Sequence, residues 1–215
     1  MDLKISKKFQ LPDTQYFKTI EYKDLIVLHH TVGGTVESTF RWWQQPRERV
    51  GTAYVIEKNG VVYEFFDPQY WAFHTGVKGE CNNLNKFEKR SIGIELVSEG
   101  GLIEYKGKYY CFDRISKYSR FKGKVFDNEI AWREQYRYFS AYTEEQIESL
   151  SLLLNRLFES FYIPRFTLSD YFSFNPDAGL FTGVLGHHQI RKDKTDLQPG
   201  FPWEKIINDC NLQLI

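Results

Sequence analysis

Five histidines are the residues of this chain most suited to chemistry, and they are not scattered. They form two adjacent pairs, His29-His30 and His187-His188, and a single His74. Each pair closes a short apolar segment, Leu25-Ile26-Val27-Leu28 before the first and Gly183-Val184-Leu185-Gly186 before the second. Asp196 follows in the loop beyond the second pair, nine residues after His187. A catalytic zinc takes three protein ligands and keeps a fourth position open for water. One histidine from each pair and an aspartate from the loop meet that count. The spacing matches no short motif such as HExxH, and isolated histidines are commonly surface or hydrogen-bonded core residues, so spacing suggests a metal centre without deciding it.

These side chains need strands that end where the chemistry begins. Leu25 to Leu28 reads as a buried strand delivering polar residues at its C-terminal end. Gly33-Gly34 breaks the chain, and Thr35 to Gln45 is expected as a helix closed by Pro46. Ala53–Ile56 and Val61–Phe65 flank Lys58-Asn59-Gly60, a hairpin signal of the type I′ kind, in which both central residues take positive φ. Ser91 to Val97 is a further strand with one acid, Glu95, set in an apolar run. Residues 100–142 are aromatic and charged, with candidate hairpin turns at Lys106-Gly107 and Lys122-Gly123. Thr143 and Gln146 fit a capping box ahead of Ile147, Leu150, Leu154, Leu157 and Phe158 at helical spacing, and this helix should stop before Pro164. Strands interleaved with helices predict an α/β or α+β fold, a single domain spanning 1–215 with a central mixed sheet flanked by helices.

Composition narrows the classes. With 215 residues, 42% of them hydrophobic and 26% charged, the chain has enough material for one well-cored globular domain. Twenty-eight basic residues balance twenty-eight acidic ones, which argues against a nucleic-acid partner. Cys81, Cys111 and Cys210 are widely spaced and include no CxxC pair, so they indicate neither a disulfide framework nor a cysteine zinc site. The first residues hold no apolar run of the signal-peptide kind, and no stretch approaches the ~20 apolar residues of a membrane span. The aromatic content, 17%, suits flat sugar or peptide ligands and serves a core equally well.

Five segments in order carry a resemblance. They are LIVLHHT from Leu25, AYVIEKNGVVYEF from Ala53, WAFHTG from Trp71, SIGIELV from Ser91 and GHHQIRKDKTDLQPGFPW from Gly186. Together they resemble the type-2 N-acetylmuramoyl-L-alanine amidases, a family of phage endolysins, bacterial cell-wall amidases and animal peptidoglycan recognition proteins. The resemblance covers roughly residues 25–99 and 183–207. It implies Zn2+ held by His29, His187 and Asp196, with His30 and His188 pointing away by strand alternation. It implies Glu95 as the general base and Lys194 as the cation that stabilises the oxyanion. His74 falls on a position lining the substrate groove. The implied reaction is hydrolysis of the lactyl–L-alanine amide of peptidoglycan or a muropeptide.

Two departures qualify the match. Some phage members carry a catalytic tyrosine just before the hairpin strand, where this chain has Thr52, which favours the Glu95 arrangement. The stretch 100–142 is longer than usual and reads as an insertion, either a recognition element or a cover for the sheet. The alternatives are a non-catalytic peptidoglycan-binding module, a partner-binding regulator, and a cytoplasmic enzyme recycling anhydro-muropeptides. The expected protein is a monomer, cytoplasmic before release in the manner of an endolysin, or acting at the cell wall.

Overall fold

A computed structural model describes residues 3–45, 48–78, 86–113, 116–133 and 135–215. Pro46 and Cys81 lie outside the described residues. In chain order the first elements are β1 (Ile5–Ser6), β2 (Leu25–His30), α1 (Val36–Trp43), β3 (Tyr54–Ile56), β4 (Val62–Glu64), α2 (Lys86–Arg90) and β5 (Ser91–Leu96). A run of strands follows: β6 (Gly101–Tyr105), β7 (Lys108–Asp113), β8 (Lys117–Arg120), β9 (Val125–Trp132) and β10 (Tyr136–Ser140). The chain closes with α3 (Glu144–Phe161), β11 (Phe166–Thr167), β12 (Gly183–Gly186), α4 (His187–Ile190), α5 (Trp203–Cys210) and β13 (Gln213–Leu214).

The central sheet has the order β1-β4-β3-β5-β2-β12, in which β3, β5, β2 and β12 are parallel and β4 runs against β3. This is the mixed α+β single domain that the pattern of elements predicts. Its inner strands are buried on both faces, which is why Leu25 to Leu28 is a continuous apolar run rather than an alternating one. Alternation still sorts the faces. Ile26 and Leu28 of β2, with Ile92, Ile94 and Leu96 of β5, join the main core beneath α3 and α5. Leu25 and Val27 join a smaller cluster with Phe87, Leu185 and Ile190 on the other face. Register pairs Leu25 with Ser91, Val27 with Gly93 and His29 with Glu95. His29, Glu95 and Ser91 therefore share the less apolar face, whereas His30, paired with Leu96, lies on the other.

α3 starts where its capping box predicts. The Thr143 hydroxyl accepts from the Gln146 N–H at 3.1 Å, and the Thr143 N–H donates to Gln146 Oε1 at 3.1 Å. Thr143 Oγ1 also donates to the Lys58 carbonyl at 2.6 Å, tying the helix to the β3–β4 loop. The helix ends at Tyr162 in the left-handed region, two residues before Pro164.

Two turns differ from expectation. Between β3 and β4, Gly60 takes positive φ (+79°) and Asn59 does not. The connection is longer than a two-residue type I′ turn, closing through Glu57 N–H to the Val61 carbonyl and Gly60 N–H to the Glu57 carbonyl. Gly60 also packs against α3, where a Cβ would stand 2.8 Å from the Glu145 carbonyl oxygen. Lys106 and Gly107 do form the β6–β7 turn, both with positive φ. Lys122-Gly123 is not a hairpin, because β8 and β9 lie at opposite edges of the second sheet, ordered β8-β7-β6-β10-β9. Strands β6 to β10 thus form a sheet of their own. Cys111 and Cys210 are buried free thiols. No helix among the described residues is long and apolar enough to cross a membrane.

Thr143→Ala removes the cap and the tie to Lys58. A loss of about 1–2 kcal/mol is expected in urea unfolding, with no change in the m-value.

Candidate active site

Three adjacent parallel strands, β5, β2 and β12, end together, and the site lies at their carboxyl ends, where open α/β sheets commonly bind ligands. His29 is the fifth residue of β2, Glu95 is its register partner on β5, and His187 directly follows β12. Asp196 returns to them because its carbonyl accepts the His188 N–H at 2.6 Å, which fixes the loop end beside the first turn of α4. The result is a tight triangle. His29 Nδ1 is 3.0 Å from His187 Nδ1, and the two stand 3.1 and 3.0 Å from Asp196 Oδ2. All three side chains are buried.

The far side of each imidazole decides what the near side offers. His187 Nε2 lies 2.7 Å from the Thr75 carbonyl, which can only accept, so that nitrogen carries the proton. His29 is oriented through a longer chain. Ser91 Oγ donates to the Phe87 carbonyl and accepts from His74 Nε2 at 2.8 Å. His74 Nδ1 is then left to accept from His29 Nε2 at 3.0 Å. Both histidines of the triangle are thereby set as Nε2–H tautomers, with bare Nδ1 lone pairs facing each other and a carboxylate oxygen. Three acceptors at such distances require a positive centre among them. Two imidazole nitrogens and one carboxylate oxygen are a donor set that fits a divalent metal such as zinc. Burial, aided by His187, pushes the His29 pKa down to about 4, so its ring is neutral at neutral pH.

Glu95 is buried, and its Oε2 has no hydrogen-bond partner among the described residues. Burial, then the nearby Asp196, raises its pKa well above the usual carboxylate range, while Lys194 opposes them. Lys194 is half-buried in the loop that follows α4, and its charge bears on both Glu95 and His29. Glu95 lies on the wall of an open cleft of about 740 Å3. Thr35 and Trp42, at and within α1, line one side, and Phe112 and Asp113 of β7 line the other.

His29, His187, Asp196, Glu95 and Lys194 are therefore gathered as the sequence predicts. His30 points away, with Nδ1 3.3 Å from the Tyr142 hydroxyl. His188 also points away, to the Tyr171 carbonyl at 2.9 Å, but for a reason other than strand alternation: the second pair opens α4 instead of ending β12. His74 sits beneath His29 with half-buried side chain, between His29 Nε2 and Ser91 Oγ. Gly93 makes room there, since a Cβ would come within 3.0 Å of His74 Nδ1 and 2.7 Å of Thr52 Cγ2. Thr52 is buried and donates to the Tyr54 carbonyl. Sequence reasoning missed the Thr75 carbonyl and Ser91, a backbone atom and a common hydroxyl, though both lie in segments that carried the resemblance.

A family model described as N-acetylmuramoyl-L-alanine amidase matches residues 21–201. The chain belongs to that family. No curated protein sequence matches it. Among solved structures it is similar to the N-acetylmuramoyl-L-alanine amidase LysC from Clostridium intestinale, at 17% identity and a TM-score of 0.52, covering 98% of this chain and 99% of that one. A mutant endolysin from Bacillus subtilis gives 12% identity and a TM-score of 0.55, with 97% and 99% covered. AmiD from E. coli, solved with the substrate anhydro-N-acetylmuramic acid-L-Ala-D-gamma-Glu-L-Lys, gives 17% and 0.55, covering 89% of this chain and 59% of that one. At these identities the likeness is one of fold.

Histidine side-chain 15N–1H spectra at neutral pH are expected to place the ring proton of both His29 and His187 on Nε2. A proton found on Nδ1 of either would overturn the tautomer assignment.

Proposed function

We propose that this chain is a zinc-dependent N-acetylmuramoyl-L-alanine amidase that hydrolyses the lactyl–L-alanine amide of peptidoglycan. The observation that carries the reading is the triangle of His29 Nδ1, His187 Nδ1 and Asp196 Oδ2, with both remote imidazole nitrogens already engaged. A peptidoglycan-binding module needs no such site. An intact triad beside the buried Glu95 carboxylate, whose Oε2 has no partner among the described residues, favours the enzyme.

His29, His187 and Asp196 would hold the ion, which when bound supplies Lewis acidity toward the scissile carbonyl and the attacking water. The chain's own residues do the rest. Glu95, buried with Oε2 free of partners among the described residues, takes the proton of the attacking water and delivers it to the departing L-alanine amine. A raised pKa suits that exchange, because a carboxylate that is too acidic holds a proton poorly for the second transfer. Lys194 brings positive charge toward the oxygen that becomes an oxyanion. The cleft beside Glu95 receives an arm of the substrate between α1 and β7. A muropeptide bound to the fold relative AmiD supports the substrate class.

Elemental analysis is expected to find about one zinc per chain, lost in Asp196→Ala. Digestion of purified peptidoglycan should expose new N-terminal L-alanine, detected by mass spectrometry. A wild type that takes up no zinc and releases no such end would defeat the reading.

Glu95→Gln should keep the metal and lower kcat by about 10^2–10^4-fold. The base must be ionised to act, so wild-type activity falls as pH drops through the Glu95 pKa. Because that pKa is raised, the acid limb should lie above the ordinary carboxylate range. Profiles of kcat against pH, measured on both proteins, should show this limb in wild type and lose it in Glu95→Gln.

A further inference from the structure

We propose that Arg133 is a positioning residue, which holds the ligand loop in its working shape from the second sheet. Its catalytic meaning rests on the zinc reading above. The side chain comes from the turn between β9 and β10 and donates to four backbone carbonyls of one short segment. Nη2 reaches the His188 carbonyl at 2.9 Å, and Nη1 faces those of Lys194, Lys192 and Arg191 at 2.7, 2.9 and 3.2 Å.

Of those carbonyls, that of Arg191 also accepts the Lys194 N–H at 3.2 Å, and those of His188, Lys192 and Lys194 take the guanidinium. α4 is four residues long, so its carbonyls run out of helical N–H partners at once. The loop beyond it is also too short to form a ladder of its own. A planar guanidinium carries several donors in a fixed fork and can address several carbonyls together, which a lysine ammonium does less well. Arg133 is in turn backed by the Trp132 ring, 5.1 Å from the guanidinium carbon, and Trp132 stands edge-on to His188 at 5.4 Å. The segment under the clamp holds Lys194 and leads directly into Asp196. Releasing it frees a metal ligand and the oxyanion cation together, while His29 and Glu95 stay fixed on their strands. The second sheet thus has a task at the reaction centre as well as lining the cleft.

Amide hydrogen exchange of residues 189–195 in metal-free protein reads the loop directly. Arg133→Ala is expected to speed exchange there by about 10-fold or more, leaving β2 and β5 unchanged. Unchanged loop exchange overturns the proposal. Zinc titrated against a chelator should bind the variant about 10–100-fold more weakly, with Arg133→Lys in between. Arg137→Ala, which removes an exposed pair with Asp127 on the same hairpin, should match wild type in both measurements. A matching loss in that variant would assign the effect to the hairpin and overturn the role of Arg133. If alanine at 133 loosens β9 and β10 themselves, Arg133→Lys carries the comparison. A wild type that binds no zinc defeats the zinc reading, and the exchange result still judges the clamp.

Discussion

Everything at the carboxyl end of the sheet depends on one electrostatic constraint: three acceptor atoms from distant parts of the chain point at one another. Two bare imidazole nitrogens and a carboxylate oxygen repel unless a positive centre sits among them. A fold can hold such an arrangement ready only if each ring is prevented from turning or changing tautomer. Here the consecutive residues His74 and Thr75 do this for both rings, one through an imidazole nitrogen and the other through a carbonyl. The WAFHTG segment therefore holds His29 and His187 from behind, and Ser91 at the start of β5 anchors the longer relay.

The sheet makes this possible by separating its duties by face. Ile26, Leu28, Ile92, Ile94 and Leu96 bury one side under α3, a continuous apolar contact that fixes the heights of β2 and β5 against each other. With that register set, His29 and Glu95 are neighbours on the opposite side. A shift of one residue would move both into the core, so the hydrophobic face and the catalytic geometry are specified by the same pairing. Buried Lys23 reinforces this end of the arrangement, donating to the carbonyls of Tyr70, Lys89 and Ser91 and so fastening α2 and the WAFHTG approach to the sheet.

Much of this was legible in the residues, and the illegible part has a common character. The strand ending at His29-His30, the capping box at Thr143 and the acid in SIGIELV are local patterns whose physics is contained in a few neighbouring side chains. The Lys106-Gly107 turn was legible for the same reason. The Lys122-Gly123 turn was misleading because turn chemistry says that the chain bends, whereas the strand it then joins depends on the whole sheet. Asn59-Gly60 was partly misleading: glycine does take the positive φ, but packing against Glu145 admits a longer loop. His188 shows the limit most clearly, since a pair that reads as a strand end begins a helix instead. His74 was found by resemblance, but its partners His29 and Ser91 were not, because the direction in which a loop side chain points is set by residues on other strands.

The site is therefore made of parts with unequal rigidity. His29 and Glu95 inherit their positions from parallel strands paired over six residues, and no extra device is needed to hold them. Asp196 and Lys194 sit in a loop that follows a one-turn helix, and loops of that kind open at much lower cost than strands. On the proposed reading the two halves need the same precision, because metal ligation and charge placement both decay over fractions of an ångström. The difference is met by contacts from outside the loop: the Asp196 carbonyl bonded to the His188 N–H, the Arg191 guanidinium on the Thr75 carbonyl, and the Arg133 fork. A strand-borne half can be conserved by packing alone, whereas the loop-borne half requires specific polar partners, and in this chain several of them come from the second sheet and the WAFHTG segment.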